Sequence, residues 1–194
     1  MKILWAIFIV YFINIFNFMD GINALATTQT LYILLCITTL DNFYSYNAII
    51  LFALPLIIFL GFNSSPARIF LGNSGSYLLA TLIMILLYNS NPSVNENLLN
   101  HTVIILIILT VMICDATYTL ISRFISKYFS DDKSFIDSVA FITNPHRTHN
   151  YQIMTQKYHS HSKVNIMIFM YNIIWCFPLA WLSQEYVNIS VIFL

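Results

Sequence analysis

Asn14, Asn17 and Asp20 recur at every third position where one apolar run gives out and the next begins. On a helix that spacing makes a polar ribbon along one side of an apolar rod. A polar row with a carboxylate points to a functional site, because such groups are expensive at membrane depth and persist where they bind something. A helix end meeting solvent would carry the same row, and spacing alone leaves both readings open.

Two further polar stretches offer complementary chemistry. Residues 62–76 contain Gly72 and Gly75, which free the backbone to turn just before a helix, where N–H groups can hold a phosphate. A plain interhelical turn is the competing reading. Residues 144–152 place His146 and His149 around Arg147; arginine grips a phosphate in two places, and histidine adds a donor or exchanges a proton. With His159 and His161 these histidines could make a zinc site of imidazoles, but no cysteine accompanies them and the spacing fits no common zinc module. A solvated polar loop is the third reading of that stretch. Asp115 and Arg123 bracket the end of an apolar run, as an interfacial carboxylate and a snorkelling arginine would.

The elements that must position these residues are helices. Of the 194 residues 59% are hydrophobic and only 8% charged, against roughly 25% charged in soluble domains. That composition indicates an integral membrane protein, and a formal net charge of zero gives no pull towards nucleic acid. Apolar runs at 3–18, 24–40, 48–62, 77–88, 102–121 and 164–182 predict an all-α bundle of about six transmembrane helices in one domain. The tail 186–194 is apolar but too short to span, and Pro55 and Pro178 should kink their helices. Cys36, Cys114 and Cys176 lie far apart in apolar runs and read as small core residues. The first run lacks a small-residue cleavage site and reads as a helix that stays.

Basic residues fix the orientation, because Lys and Arg are retained on the cytoplasmic side. Arg68 lies in the loop 63–76, and Arg123, Lys127, Lys133, Arg147, Lys157 and Lys163 follow the fifth run, whereas the loops 41–47 and 89–101 contain no Lys or Arg. Six alternating helices gather both basic loops and Asp20 on one face, expected to be cytoplasmic. Lys2 falls on the other side.

Taken together the stretches resemble the polyprenyl-phosphate sugar-1-phosphate transferases of glycosyltransferase family 4, the phospho-N-acetylmuramoyl-pentapeptide transferase and polyprenyl-phosphate N-acetylglucosamine-1-phosphate transferase type. The resemblance rests on Asn14, Asn17, Asp20, Gly21, Leu25 and Ala26; on Phe62, Asn63, Pro66, Ala67, Phe70, Gly72, Gly75 and Ser76; on Asp115 and Arg123; and on His146, Arg147, His149 and Gln152. It implies transfer of a sugar phosphate from a UDP-sugar to polyprenyl phosphate at the bacterial inner membrane, in cell-wall or surface-polysaccharide synthesis, with magnesium as cofactor. It also implies Asp20, His146 and His149 as catalytic residues, and Asn14, Asn17, Phe70, Gly72, Gly75, Arg123 and Arg147 as substrate contacts. Asp20 and position 73 would then be metal ligands.

The departures matter as much. The family's earlier aspartate pair has no counterpart before Asp20, Asn73 stands where its magnesium-binding aspartate is expected, and Asn23 replaces a second aspartate after Asp-Gly. Asp131-Asp132 comes in the wrong order to substitute for the pair. The chain therefore reads as the C-terminal part of such a transferase, inactive alone, and either split from a separate N-terminal half or left by gene decay. The alternatives are a non-catalytic membrane subunit that binds polyprenyl phosphate or a partner enzyme, and an unrelated channel or transporter.

Overall fold

A computed structural model describes residues 2–40, 46–89, 98–130, 135–144 and 147–185. His146, Asp131, Asp132 and the tail 186–194 lie outside them. Among the described residues all regular structure is helical: α1 Lys2–Met19, α2 Leu25–Leu40, α3 Tyr46–Asn63, α4 Gly72–Asn89, α5 Leu98–Ile108, α6 Thr110–Ser130, α7 Phe135–Thr143, α8 Asn150–Tyr158, α9 His161–Tyr171 and α10 Phe177–Glu185. The chain is all-α, and each of the six apolar runs falls on helix.

Three departures from the sequence reading have physical causes. The fifth run is two helices bent by 72° at Leu109; the Thr110 hydroxyl donates to the Leu106 carbonyl at 2.8 Å at the bend, a back-bond that competes with the helix ladder. The last run passes through a π-turn, Asn172–Cys176, just ahead of Pro178. Proline's ring would clash with the carbonyl four residues back, and the wider turn relieves that crowding. The long basic segment is not a plain loop, since α7 and α8 form within it.

By length and apolarity one described helix, His161–Gln184, can cross a membrane, or two if the bent pair His101–Ile108 and Thr110–Phe129 is one span. Four shorter apolar helices accompany them, Ile3–Met19, Leu25–Leu40, Ile49–Asn63 and Gly72–Tyr88. The bundle buries Phe12, Phe16, Tyr32, Ile83 and Leu109 at its centre and turns Ile3, Ile7, Leu51, Leu54 and Ile58 outwards, as helices bathed in lipid do. In the interior the Asn172 amide donates to Gln29 Oε1 at 2.9 Å. Cys36 and Cys176 are buried as core residues, Cys114 is exposed instead, and all three cysteines are free.

Helices α1 and α4 pack together, α2 lies against α3, α5 against α10, and α7 folds back on α6. This brings the α1–α2 turn, the α3–α4 connection and the start of α8 to one end.

Candidate functional site

Helix α1 ends where Asp20 and Gly21 follow Met19, both poor helix formers, and its last turn tightens through Asp20 N–H donating to Asn17 O at 3.3 Å. The chain re-enters helix through Ala24, held at φ 68°. A non-glycine residue in the left-handed region needs support. Asn63, buried at the end of α3, supplies it: its Oδ1 accepts from Ala24 N–H at 2.9 Å and from the Thr27 hydroxyl at 3.3 Å. Its amide also donates to the Ile69 carbonyl at 2.9 Å, so one side chain fixes both the α1–α2 turn and the α3–α4 connection. The Asn23 amide donates to Ser65 Oγ at 3.1 Å, adding a second tie.

Gly72 takes φ 67° at the start of α4, the conformation for which glycine is suited. Gly75 differs from the turn residue expected of it. It sits inside α4, and a Cβ there would meet Leu71 Cδ1 at 2.6 Å, so its smallness serves close packing. One turn into α4 the buried Ser76 hydroxyl donates to Asn17 Oδ1 at 2.6 Å and lies 3.0 Å from the Asn73 carbonyl. The Asn73 side chain is exposed.

The third component arrives on α8. His149, only 2% exposed, precedes the helix and has its Nδ1 3.0 Å from Asp115 Oδ2 on α6. The other Asp115 oxygen accepts from Asn150 N–H at 2.8 Å. Gln152 Oε1 accepts from His149 N–H at 3.3 Å. The Tyr151 ring stacks on His149 at 5.5 Å between centroids, and its hydroxyl donates to the Phe18 carbonyl at 2.8 Å, one of the carbonyls that the end of α1 leaves unpaired. Gly21 admits this approach, because a Cβ there would meet the Tyr151 hydroxyl, and Gln152 Nε2 at 2.6 Å.

Among the described residues no donor reaches the Asp20 carboxyl, which burial pushes up to about 6. The Tyr151 hydroxyl is pushed up as well, first by burial and then by the charge of Asp115, with Asp20 adding to it. Tyr151 thus lies within the field of both carboxylates.

The structure gathers Asn17, Asp20, Gly21, His149 and Gln152, with the Asn73 backbone beside them. It does not bring every expected residue there. Asn14 is exposed and donates to Val10 O on its own helix at 2.7 Å. Phe70 is 72% exposed, and Arg147 is exposed. Arg123 turns to α7, donating to Phe141 O at 2.6 Å and lying 4.6 Å over the Phe141 ring. The histidines of the zinc reading part ways: His149 is on Asp115, His159 is exposed with φ 49° at the end of α8, and His161 Nδ1 accepts from Asn23 N–H at 3.1 Å. Tyr151 and Asn165, whose amide donates to Asn23 O at 2.6 Å, were not expected from the sequence. Tyr151 lay within the third polar stretch, and the only signal of Asn165 was an amide in an apolar run.

The described residues do not by themselves make up a magnesium site. No group of three or more His, Cys, Asp or Glu converges among the described residues, and both Asp115 oxygens are engaged. Asp20 stands as a lone acid.

The family model described as glycosyl transferase family 4 matches residues 1–91. A phospho-N-acetylmuramoyl-pentapeptide-transferase from Nautilia profundicola is 37% identical over 100 residues, which cover 42% of this chain and 28% of that protein. The chain thus spans little more than a quarter of the relative's length. No solved structure matches. The match includes the Asp20 turn and the Asn63–Ser76 loop and stops before Asp115, Arg123 and His149. Residues 1–91, a little under half of the chain, are thus similar to glycosyl transferase family 4 sequences.

Proposed function

We propose that this chain supplies part of a membrane-embedded transferase that moves a sugar-1-phosphate from a UDP-sugar to polyprenyl phosphate, in cell-wall or surface-polysaccharide synthesis, and that it is inactive alone. The observation that carries this reading is the convergence of the Asp20–Gly21 turn, the Asn63–Ser76 loop and the His149–Gln152 helix start at one end of an apolar bundle. On the reading of six transmembrane passes, that end lies at the cytoplasmic face of the inner membrane. A lipid phosphate would enter laterally between helices, and a nucleotide from the aqueous side.

Two phosphorylated substrates repel each other, and cations offset that repulsion. Asp20 contributes one carboxylate, and Asn73 only a neutral amide in place of a second. The missing carboxylates would come from a separate N-terminal half, together with the rest of a magnesium site. Metal assistance supplies several kcal/mol and each ~1.4 kcal/mol of lost transition-state stabilisation is a factor of ten in rate, so a chain without them is slower by orders of magnitude. The lone acid equally suits a non-catalytic subunit that binds polyprenyl phosphate, which is the second reading.

The test is UMP release from UDP-sugars by the purified chain with polyprenyl phosphate and magnesium, and by the chain co-expressed with a segment carrying an aspartate pair. The expected result is no release alone and release on co-expression. Release by the chain alone overturns the claim of inactivity. Polyprenyl phosphate binding with no release in either preparation selects the subunit. Asn73→Asp should tighten magnesium binding; unchanged affinity removes position 73 from the metal.

A further inference from the structure

We propose that Asp115 is the positioning residue of His149, fixing which imidazole nitrogen carries the proton. The inference deepens the transferase reading and rests on it for its catalytic meaning, while its geometry stands apart. A carboxylate is acceptor-only, so a neutral His149 facing Asp115 Oδ2 at 3.0 Å must carry its proton on Nδ1. Nε2 is then the basic nitrogen, the one that can take a proton from a substrate group or pass one to it.

The arrangement has no slack. His149 is buried at 2% exposure, its ring is stacked on Tyr151, and its backbone N–H is held by Gln152 Oε1. Asp115 secures the same segment twice, because its second oxygen accepts from Asn150 N–H, the first helical donor of α8. A carboxylate at a helix N-terminus also complements the helix dipole. One residue of α6 therefore sets the tautomer of the histidine and the seat of the helix that follows it. Tyr151, the next residue along α8, is anchored in turn to the Phe18 carbonyl at the end of α1. The Asp115 side chain thereby sets the imidazole relative to the Asp20 turn.

Asp115→Asn separates the two duties. The amide oxygen can still accept from Asn150 N–H and keep α8 capped, but the amide nitrogen must then face the imidazole. An amide N–H donates, so His149 Nδ1 becomes the acceptor and the proton moves to Nε2. The experiment is ¹⁵N NMR of the imidazole in detergent-solubilised full chain labelled at histidine, with His149→Gln assigning the resonance. Wild type should show the Nδ1–H tautomer, Asp115→Asn the Nε2–H tautomer, and Asp115→Glu a return towards wild type. Amide exchange of α8 should be unchanged in Asp115→Asn and accelerated in Asp115→Ala. An unchanged tautomer in Asp115→Asn overturns the proposal, as does an Nε2–H proton in wild type. The readout needs no turnover, so loss of the transferase reading in the UMP assay leaves this result to be judged separately. In a preparation that does release UMP, the inverted tautomer should lower kcat by about 10²–10⁴ with KM little changed. A kcat that stays at the wild-type value while the tautomer inverts overturns the catalytic half of the proposal.

Discussion

Gly21→Ala should break the joint between α8 and the end of α1. A Cβ at position 21 would lie 2.6 Å from Gln152 Nε2 and 3.2 Å from Tyr151 Cζ, and closer still to the Tyr151 hydroxyl. Gln152 is flexible and can swing away. Tyr151 cannot, being buried, stacked on His149 and bonded to Phe18 O. Overpacking of this kind costs about 1–3 kcal/mol, and loss of the Tyr151 hydrogen bond about 1 kcal/mol. Together the substitution should destabilise the chain by about 2–4 kcal/mol. The assay is equilibrium unfolding in mild detergent, run as a double-mutant cycle with Tyr151→Phe. Removing the hydroxyl takes away both the worst contact and the bond the clash would break. Gly21→Ala should therefore cost about 1–2 kcal/mol less in the Tyr151→Phe background. An equal cost in both backgrounds, or no cost in wild type, would refute the reasoning.

Asp20 should give stability a pH dependence of defined sign. Its carboxyl is raised from 3.8 to about 6 by burial, so the folded chain binds that proton more tightly than the unfolded chain does. The contribution is full below pH ~4 and is lost as pH rises through about 6, amounting to about 1–2 kcal/mol once screening at this part-exposed site is allowed for. Asp20→Asn should flatten that stretch of the stability curve, and a slope that survives assigns it elsewhere. Arg123→Ala removes the donor to Phe141 O and the cation over its ring; amides of α7 should exchange faster, for a loss of about 1–2 kcal/mol, with α1 unaffected. Asn172→Leu leaves Gln29 without its donor in the core and should cost about 2–3 kcal/mol. Adding Gln29→Leu should recover at least half of that, and a cycle that sums without recovery would mean the two amides do not act as a pair.

Helix placement was legible because apolar runs bounded by polar loops admit few alternatives in lipid. The boundaries that failed are those where local composition misleads. Gly72 to Ser76 reads as turn residues, yet α4 begins at Gly72, since its left-handed φ opens the helix and Leu71 covers Gly75. The segment after α6 reads as a basic loop because α8 has little apolar periodicity. Its stability comes from tertiary partners, Asp115 at its start and Phe18 O beyond Tyr151, which spacing along the chain does not reveal. The bend at Leu109 was hidden for a similar reason, since a threonine in an apolar run carries no mark of whether it back-bonds.

The candidate site was legible as three stretches but not as a set of joints. Five of the joints fall on the backbone or amides around the α1–α2 turn: Ser76 on Asn17, Tyr151 on the Phe18 carbonyl, His161 and Asn165 on the Asn23 backbone, Asn63 on Ala24 N–H. None of them reaches the Asp20 carboxyl. A turn held in this way fixes the position of its acid without neutralising it, and the cost shows as the raised Asp20 pKa. Had the acid served only to hold the turn, a donor would be expected on it, because a half-buried carboxylate without a partner is destabilising and a single amide or arginine would remove the penalty. The neighbouring amides of Asn63 and Asn165 bond backbone instead of the carboxyl. Asp20→Asn should therefore stabilise the turn near neutral pH and, on the transferase reading, abolish the cation or substrate affinity of this end.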